Sequence, residues 1–190
     1  MTTSKWKIDA SHSSIQFSAR HMVITKVRGA FKSYRGEIEL DDSDMTRSKV
    51  DVVIDASSID TAEPKRDEHL RGSDFLDVST YPTLRFVSKS IVKQGSSYEV
   101  QGELTLHGVT RPVALKADFE GKGKDPWGGE RVAFAAKARV NREDFGLVWN
   151  QVLEAGGLLV GTQIEIELEV QAVRSEVAPS VAAGAATTTA

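Results

Sequence analysis

Cysteine is absent from this 190-residue chain, which removes disulfides, thiolate catalysis and cysteine-based zinc sites together. No run of ~18 consecutive apolar residues occurs, so nothing reads as a membrane-spanning helix. Basic runs are missing too. The formal charge is −3, from 24 basic and 27 acidic side chains, and the densest basic pair, Lys65-Arg66, is followed at once by Asp67-Glu68. That leaves no electrostatic footprint for nucleic acid. No apolar stretch follows Lys5 and Lys7, so no secretory leader is expected. The expected address is cytoplasmic, or periplasmic or secreted if the chain is a processed form.

What is present is a period of two. Ile15, Phe17 and Ala19 alternate with polar neighbours, as do Leu84 and Phe86; Val100, Leu104 and Leu106; and Val113, Leu115, Ala117 and Phe119. The same holds for Val132 to Val140 and for Ile164, Ile166, Leu168 and Val170 between Glu165, Glu167 and Glu169. Successive strand side chains face opposite sides, so each segment has an apolar and a polar face. That is the antiparallel pattern, since buried parallel strands read as continuous apolar runs. Turn chemistry separates the runs at 41–44, 94–97, 107–110 and 121–129. Lys26 to Leu40 and Pro112 to Gly121 read as long strands, and long amphipathic strands joined in sequence tend to close into a barrel. Residues 61–72 break the rhythm: Pro64 early, helix formers after it, and Gly72 at the position of a terminating glycine predict a short helix at one end. A second helical turn is expected at Arg142 to Phe145. The expected organisation is one barrel domain over 1–174 and a disordered Ala/Thr-rich tail over 175–190, where apolar bulk is too small to offset ordering entropy.

Catalytic signatures fail one by one. His12, His21, His69 and His107 show no His-x-x-x-His spacing, so no metal site is expected. Asp42-x-Asp44 lacks the glycine and the glutamate of a calcium loop. Gly121-x-Gly123 opens no helix, and there is no Gly-x-Ser-x-Gly elbow. No catalytic residue and no cofactor is assigned. The competing function is a metal-dependent enzyme acting through histidines at the barrel mouth. The phenylalanines, spread over nearly the whole domain, fit either a solid core or the lining of a ligand cavity.

Longer motifs add to this reading. Trp6-Lys7-Ile8-Asp9-Ala10-Ser11-His12-Ser13, Val27-Arg28-Gly29-Ala30-Phe31, Arg66-Asp67-Glu68-His69-Leu70-Arg71-Gly72-Ser73-Asp74-Phe75, Tyr81-Pro82-Thr83-Leu84-Arg85-Phe86, Gly102 to Thr110 and Asn141-Arg142-Glu143-Asp144-Phe145-Gly146 follow in order. Together they resemble the YceI-like family, also called the polyisoprenoid-binding protein family, from about Trp6 to Val173. The resemblance implies an all-β, eight-stranded antiparallel lipocalin-like barrel with a helix near Arg66 to Asp77. It also implies binding, storage or transport of isoprenoid chains, isoprenoid quinones or related amphiphiles, and in some members a homodimer. On that basis tail contacts are assigned to Phe17, Phe31, Ile54, Leu70, Phe75, Phe86, Leu104, Phe134 and Phe145. Headgroup contacts are assigned to His21, Arg66, His69 and Arg142. A bound polyprenyl compound or quinone is the expected ligand, with no nucleic-acid partner.

Overall fold

The structure, a computed structural model, describes residues 3–154 and 156–175. Of the expected tail, Ser175 still donates its N–H to the Lys5 carbonyl (2.8 Å); the rest lies outside the described residues.

The period-two segments form β1 (Thr3–Ile8), β2 (Ser14–His21), β3 (Thr25–Phe31), β4 (Tyr34–Asp41), β5 (Lys49–Asp55), β6 (Ile59–Asp60), β7 (Thr83–Gln94), β8 (Ser97–Leu106), β9 (Val109–Lys124), β10 (Glu130–Asn141) and β11 (Val160–Arg174), with α1 at Pro64–Arg71. Every pairing is antiparallel. Both β1 and β2 lie along β11, with Ile8 opposite Ala172 and Ser14 opposite Glu169, so they are one interrupted ribbon. β3 with β4, and β5 with β6, are two more. Counted this way, eight ribbons follow each other in chain order and close where β11 meets β1 and β2. The expected eight-stranded antiparallel barrel is the observed fold.

Lys26 to Leu40 is not one continuous strand. It breaks at Lys32-Ser33, beside the breaks at 9–13 and 56–58, and the three form a corner across neighbouring ribbons. The corner is held by hydrogen bonds that replace the ladder. Lys32 N donates to Ser58 O (3.1 Å), and the Tyr34 hydroxyl donates to Ser13 O (2.6 Å). Asp9 accepts from the Ser11 hydroxyl (2.5 Å) and from Arg131 (2.7 Å). The Ser11 hydroxyl, then Arg131 and His12, hold its carboxyl well below the usual carboxylate range.

A second departure is Gly121, expected in a loop, which lies inside β9 opposite Ala133. Phe119 faces the next residue of β10, Phe134, so Glu120 is the extra residue of a bulge and the loop shrinks to 125–129. In α1, Glu63 accepts from Arg66 N (2.6 Å) and Pro64 occupies the first turn, where its missing N–H costs nothing. Gly72 ends the helix with φ −74°, in extended and not left-handed backbone.

The register places α1, the β2–β3 turn, the β8–β9 turn and the 142–159 segment at one end of the barrel. The 42–48 connection, the β7–β8 turn and the β9–β10 turn lie at the other. That second end is plugged by Trp6, fully buried, with Ile38, Leu40, Val132 and Ala172 around it. The larger apolar cluster spans the remaining length.

Gly102 and Gly29 let aromatic rings lie flat across neighbouring ribbons. A Cβ at Gly102 would sit 2.4 Å from Phe86 Cζ and 2.6 Å from Val87 O; at Gly29 it would sit 2.4 Å from Phe17 Cζ. Because one obstacle at Gly102 is backbone, Gly102→Ala is expected to destabilise by ~2 kcal/mol, lowering Tm by roughly 4–8 °C for a chain of this size. Calorimetry showing an unchanged Tm would contradict this account of Phe86.

Candidate functional site

Alternate residues of each ribbon point inward. β8 sends in Val100, Leu104 and Leu106; β10 sends in Phe134, Ala136 and Val140; β11 sends in Ile164, Ile166, Leu168 and Val170. They do not meet on the barrel axis. A cavity of about 320 Å³ remains between them, within the ~300–1,000 Å³ common for ligand pockets. The four β11 side chains are only half-buried although they face inward, because they border this space instead of one another. Its surface is hydrocarbon. Two polar side chains at its wall are engaged elsewhere: Tyr34 bonds Ser13 O, and Ser48 Oγ accepts from Asp41 N.

Of the tail candidates, Phe17, Phe31, Ile54, Leu70, Phe75, Phe86, Leu104 and Phe134 border the cavity. Phe145 does not. It closes the turn Arg142–Phe145, is 1% exposed, and packs behind the cavity wall as core. The aliphatic column of β11 was not among the candidates although it lines much of the cavity. Its signal was the uninterrupted alternation with glutamates, which carries as much lining as the aromatic residues do.

The four headgroup candidates separate. Arg66 turns back onto Thr61, donating to its hydroxyl (2.7 Å) and carbonyl (2.9 Å). His69 lies 2.8 Å from the Asp74 carboxylate and packs edge-on against Phe75 and Trp149. His21 ends β2 opposite Val160 and is half-buried. None of the three borders the cavity. Arg142 does, and it is 3% exposed. Its guanidinium donates to the carbonyls of Gly161 (3.0 Å), Val160 (3.3 Å) and Leu147. Among the described residues no carboxylate forms an ion pair with it, and burial pushes its pKa down, with Glu143 opposing. A buried cation satisfied only by neutral carbonyls keeps an unbalanced charge at the wall of an apolar cavity.

The histidines do not converge. His12 pairs with Asp9 (2.8 Å) and His107 packs on Tyr81 (4.7 Å). Among the described residues no group of three or more His, Asp or Glu side chains is placed to hold a metal. No described helix is long and apolar enough to cross a membrane.

A model of the YceI-like domain matches residues 6–172. A UPF0312 protein of Vibrio cholerae is 38% identical over 165 residues, covering 86% of this chain and 83% of the relative. Among solved structures, BcnA of Burkholderia cenocepacia superposes with a TM-score of 0.76 at 22% identity, covering 86% of this chain and 98% of that one. A polyisoprenoid-binding domain from Saccharophagus degradans superposes with a TM-score of 0.65 at 15% identity, covering 90% and 98%. At those identities the two structures speak to the fold.

Arg142→Met would strip the donors from three carbonyls that tie the 147–161 segment to the barrel. The expected cost is about 3 kcal/mol, a Tm lower by roughly 6–12 °C. A melting temperature equal to that of the parent would show that the guanidinium does not organise this end.

Proposed function

The chain belongs to the YceI-like domain family, and from that membership we propose that its barrel binds, stores or transports a long-chain isoprenoid-type amphiphile without catalysing a reaction on it. A polyprenyl lipid or an isoprenoid quinone is the proposed cargo. The observation that carries the reading is the hydrocarbon-walled cavity of about 320 Å³ along the barrel interior.

At ~0.8 kcal/mol per buried CH₂, each five-carbon unit contributes roughly 3–4 kcal/mol. A few units exceed the cost of ordering the tail, so affinity follows from length and needs little shape reading. The wall offers the tail no polar partner, which suits a hydrocarbon and little else. A charged or strongly polar headgroup loses too much when buried unpaired. Arg142 is the one candidate cation at the cavity wall, so the headgroup is assigned there, at the α1 end, opposite the Trp6 plug. No aspartate, glutamate or histidine among the described residues lines the cavity, which favours holding over chemistry. The polyisoprenoid-binding domain of S. degradans, alike in fold, adds support.

Ala136 faces the cavity midway along β10, opposite Leu168 and Ala117. A polyprenyl ligand at ~100 times its Kd should stabilise the barrel by ~2.7 kcal/mol, raising Tm by roughly 5–10 °C. Ala136→Trp should keep the unliganded Tm close to that of the parent and abolish most of that rise. If neither polyprenyl nor quinone ligands shift the parent protein's Tm, the reading fails; an undiminished shift in Ala136→Trp would place the tail elsewhere.

A further inference from the structure

The end of the barrel that carries Arg142 also carries an apolar surface that the fold does not use. Val23 and Ile24, in the turn between β2 and β3, are 74% and 75% exposed, and Met22 beside them is also exposed. Next to this turn, Val152 faces Leu158 across a short hairpin, and Val152 is 80% exposed. The two loops are joined: Met22 N donates to Leu159 O and Leu159 N to Gln151 O, both at 2.9 Å. Directly behind them, Ala19 and Val160 line the cavity.

Ile24 N donates to His21 O (3.1 Å), closing a tight turn in which Met22 and Val23 have φ +52° and +63°. Such a turn favours Asn-Gly, and a β-branched residue with positive φ is a conformational outlier. Met-Val here serves neither the turn nor solubility, and strain of this kind tends to sit at functional places. The tips stand out with Val23, Ile24 and Val152 each about three-quarters or more exposed, so they suit insertion into a soft layer more than docking into a rigid partner. Cations flank them. Arg20 and Lys26 face each other at the base of the turn, with Arg28 opposite Ser18 further along. Lys26 is tied to Glu165, while Arg20 and Arg28 form no ion pair among the described residues. Protruding apolar side chains with adjacent cations are the chemistry of an anionic bilayer surface.

We propose that this end docks on an anionic lipid bilayer, with Val23 and Ile24 entering the interfacial layer, so that cargo passes between membrane and cavity without crossing water. The proposal rests on the lipid-carrying reading, and the test separates the two. The full chain is floated with vesicles of phosphatidylcholine mixed with phosphatidylglycerol, beside Met22→Asn/Val23→Gly, Ile24→Asp and, at the opposite end, Trp127→Ala. The parent and Trp127→Ala should float with the vesicles. Met22→Asn/Val23→Gly should lose at least ~10-fold in bound fraction while its Tm rises, because Asn-Gly relieves the turn. Ile24→Asp should lose binding at unchanged Tm, and both variants should still take up polyprenyl lipid delivered in detergent. A parent that does not float, or an Asn-Gly variant that floats as well as the parent, overturns docking. A parent that sediments as a dimer, with monomeric variants and no vesicle binding, assigns the surface to a second copy and also overturns it. Vesicle binding without uptake from detergent by any form leaves docking standing and removes the lipid-carrying reading.

Discussion

Closure of the sheet along β11 is the constraint on which the rest of this molecule depends. One edge of β11 pairs with β10 over eleven positions, and the other takes β2 and then β1. Closure pairs most of the edges that could otherwise recruit another chain; residues 25–29 of β3 pair with β2 alone. Strand number and tilt then set the circumference, and the inward side chains, several as small as Ala19, Ala117 and Ala136, do not span it. The cavity is therefore a consequence of closure with modest side chains, not a separate device. The glutamates of β11 face outward, where Glu165 meets Lys26 and Arg139 and Glu167 meets Lys137.

The two ends of the barrel are chemically unlike, which gives the cavity a direction. At one end Trp6 is fully buried, its Nε1 donating to the Ser4 hydroxyl (2.8 Å) while Lys122 lies 5.1 Å over its ring. That end is sealed by packing. At the other, Arg142 ties Leu147 to Val160 and Gly161, and Trp149 packs against His69 of α1 and Phe75. A tail pointing toward Trp6 with its head toward Arg142 matches apolar to apolar and charge to charge.

Much of this was legible in the sequence, because the signals were local. Alternation located the strands, Pro64 located the helix, and the motifs from Trp6 to Gly146 identified the family. What escaped was set by tertiary contact. The break at Lys32-Ser33 follows from its neighbours breaking at the same level, and the bulge at Glu120 is a matter of register; neither leaves a local mark. Of the aromatic tail candidates, all but Phe145 border the cavity; its helical turn carries that ring behind the wall. His21, Arg66 and His69 were plausible as charges near a mouth, but Thr61 and Asp74 already engage Arg66 and His69, and His21 stays outside the cavity. Whether a cation faces the lumen or its own turn is decided by side-chain direction, which residue identity does not carry.

The space inside the closed sheet is proposed to hold hydrocarbon tails. Native mass spectrometry of the purified full chain, followed by organic extraction and identification of whatever is released, tests it most directly. The expected result is a discrete added mass near one equivalent per chain that extraction resolves as a long-chain isoprenoid compound. Protein that carries no lipid, and gains none after incubation with polyprenyl and quinone mixtures, would contradict it.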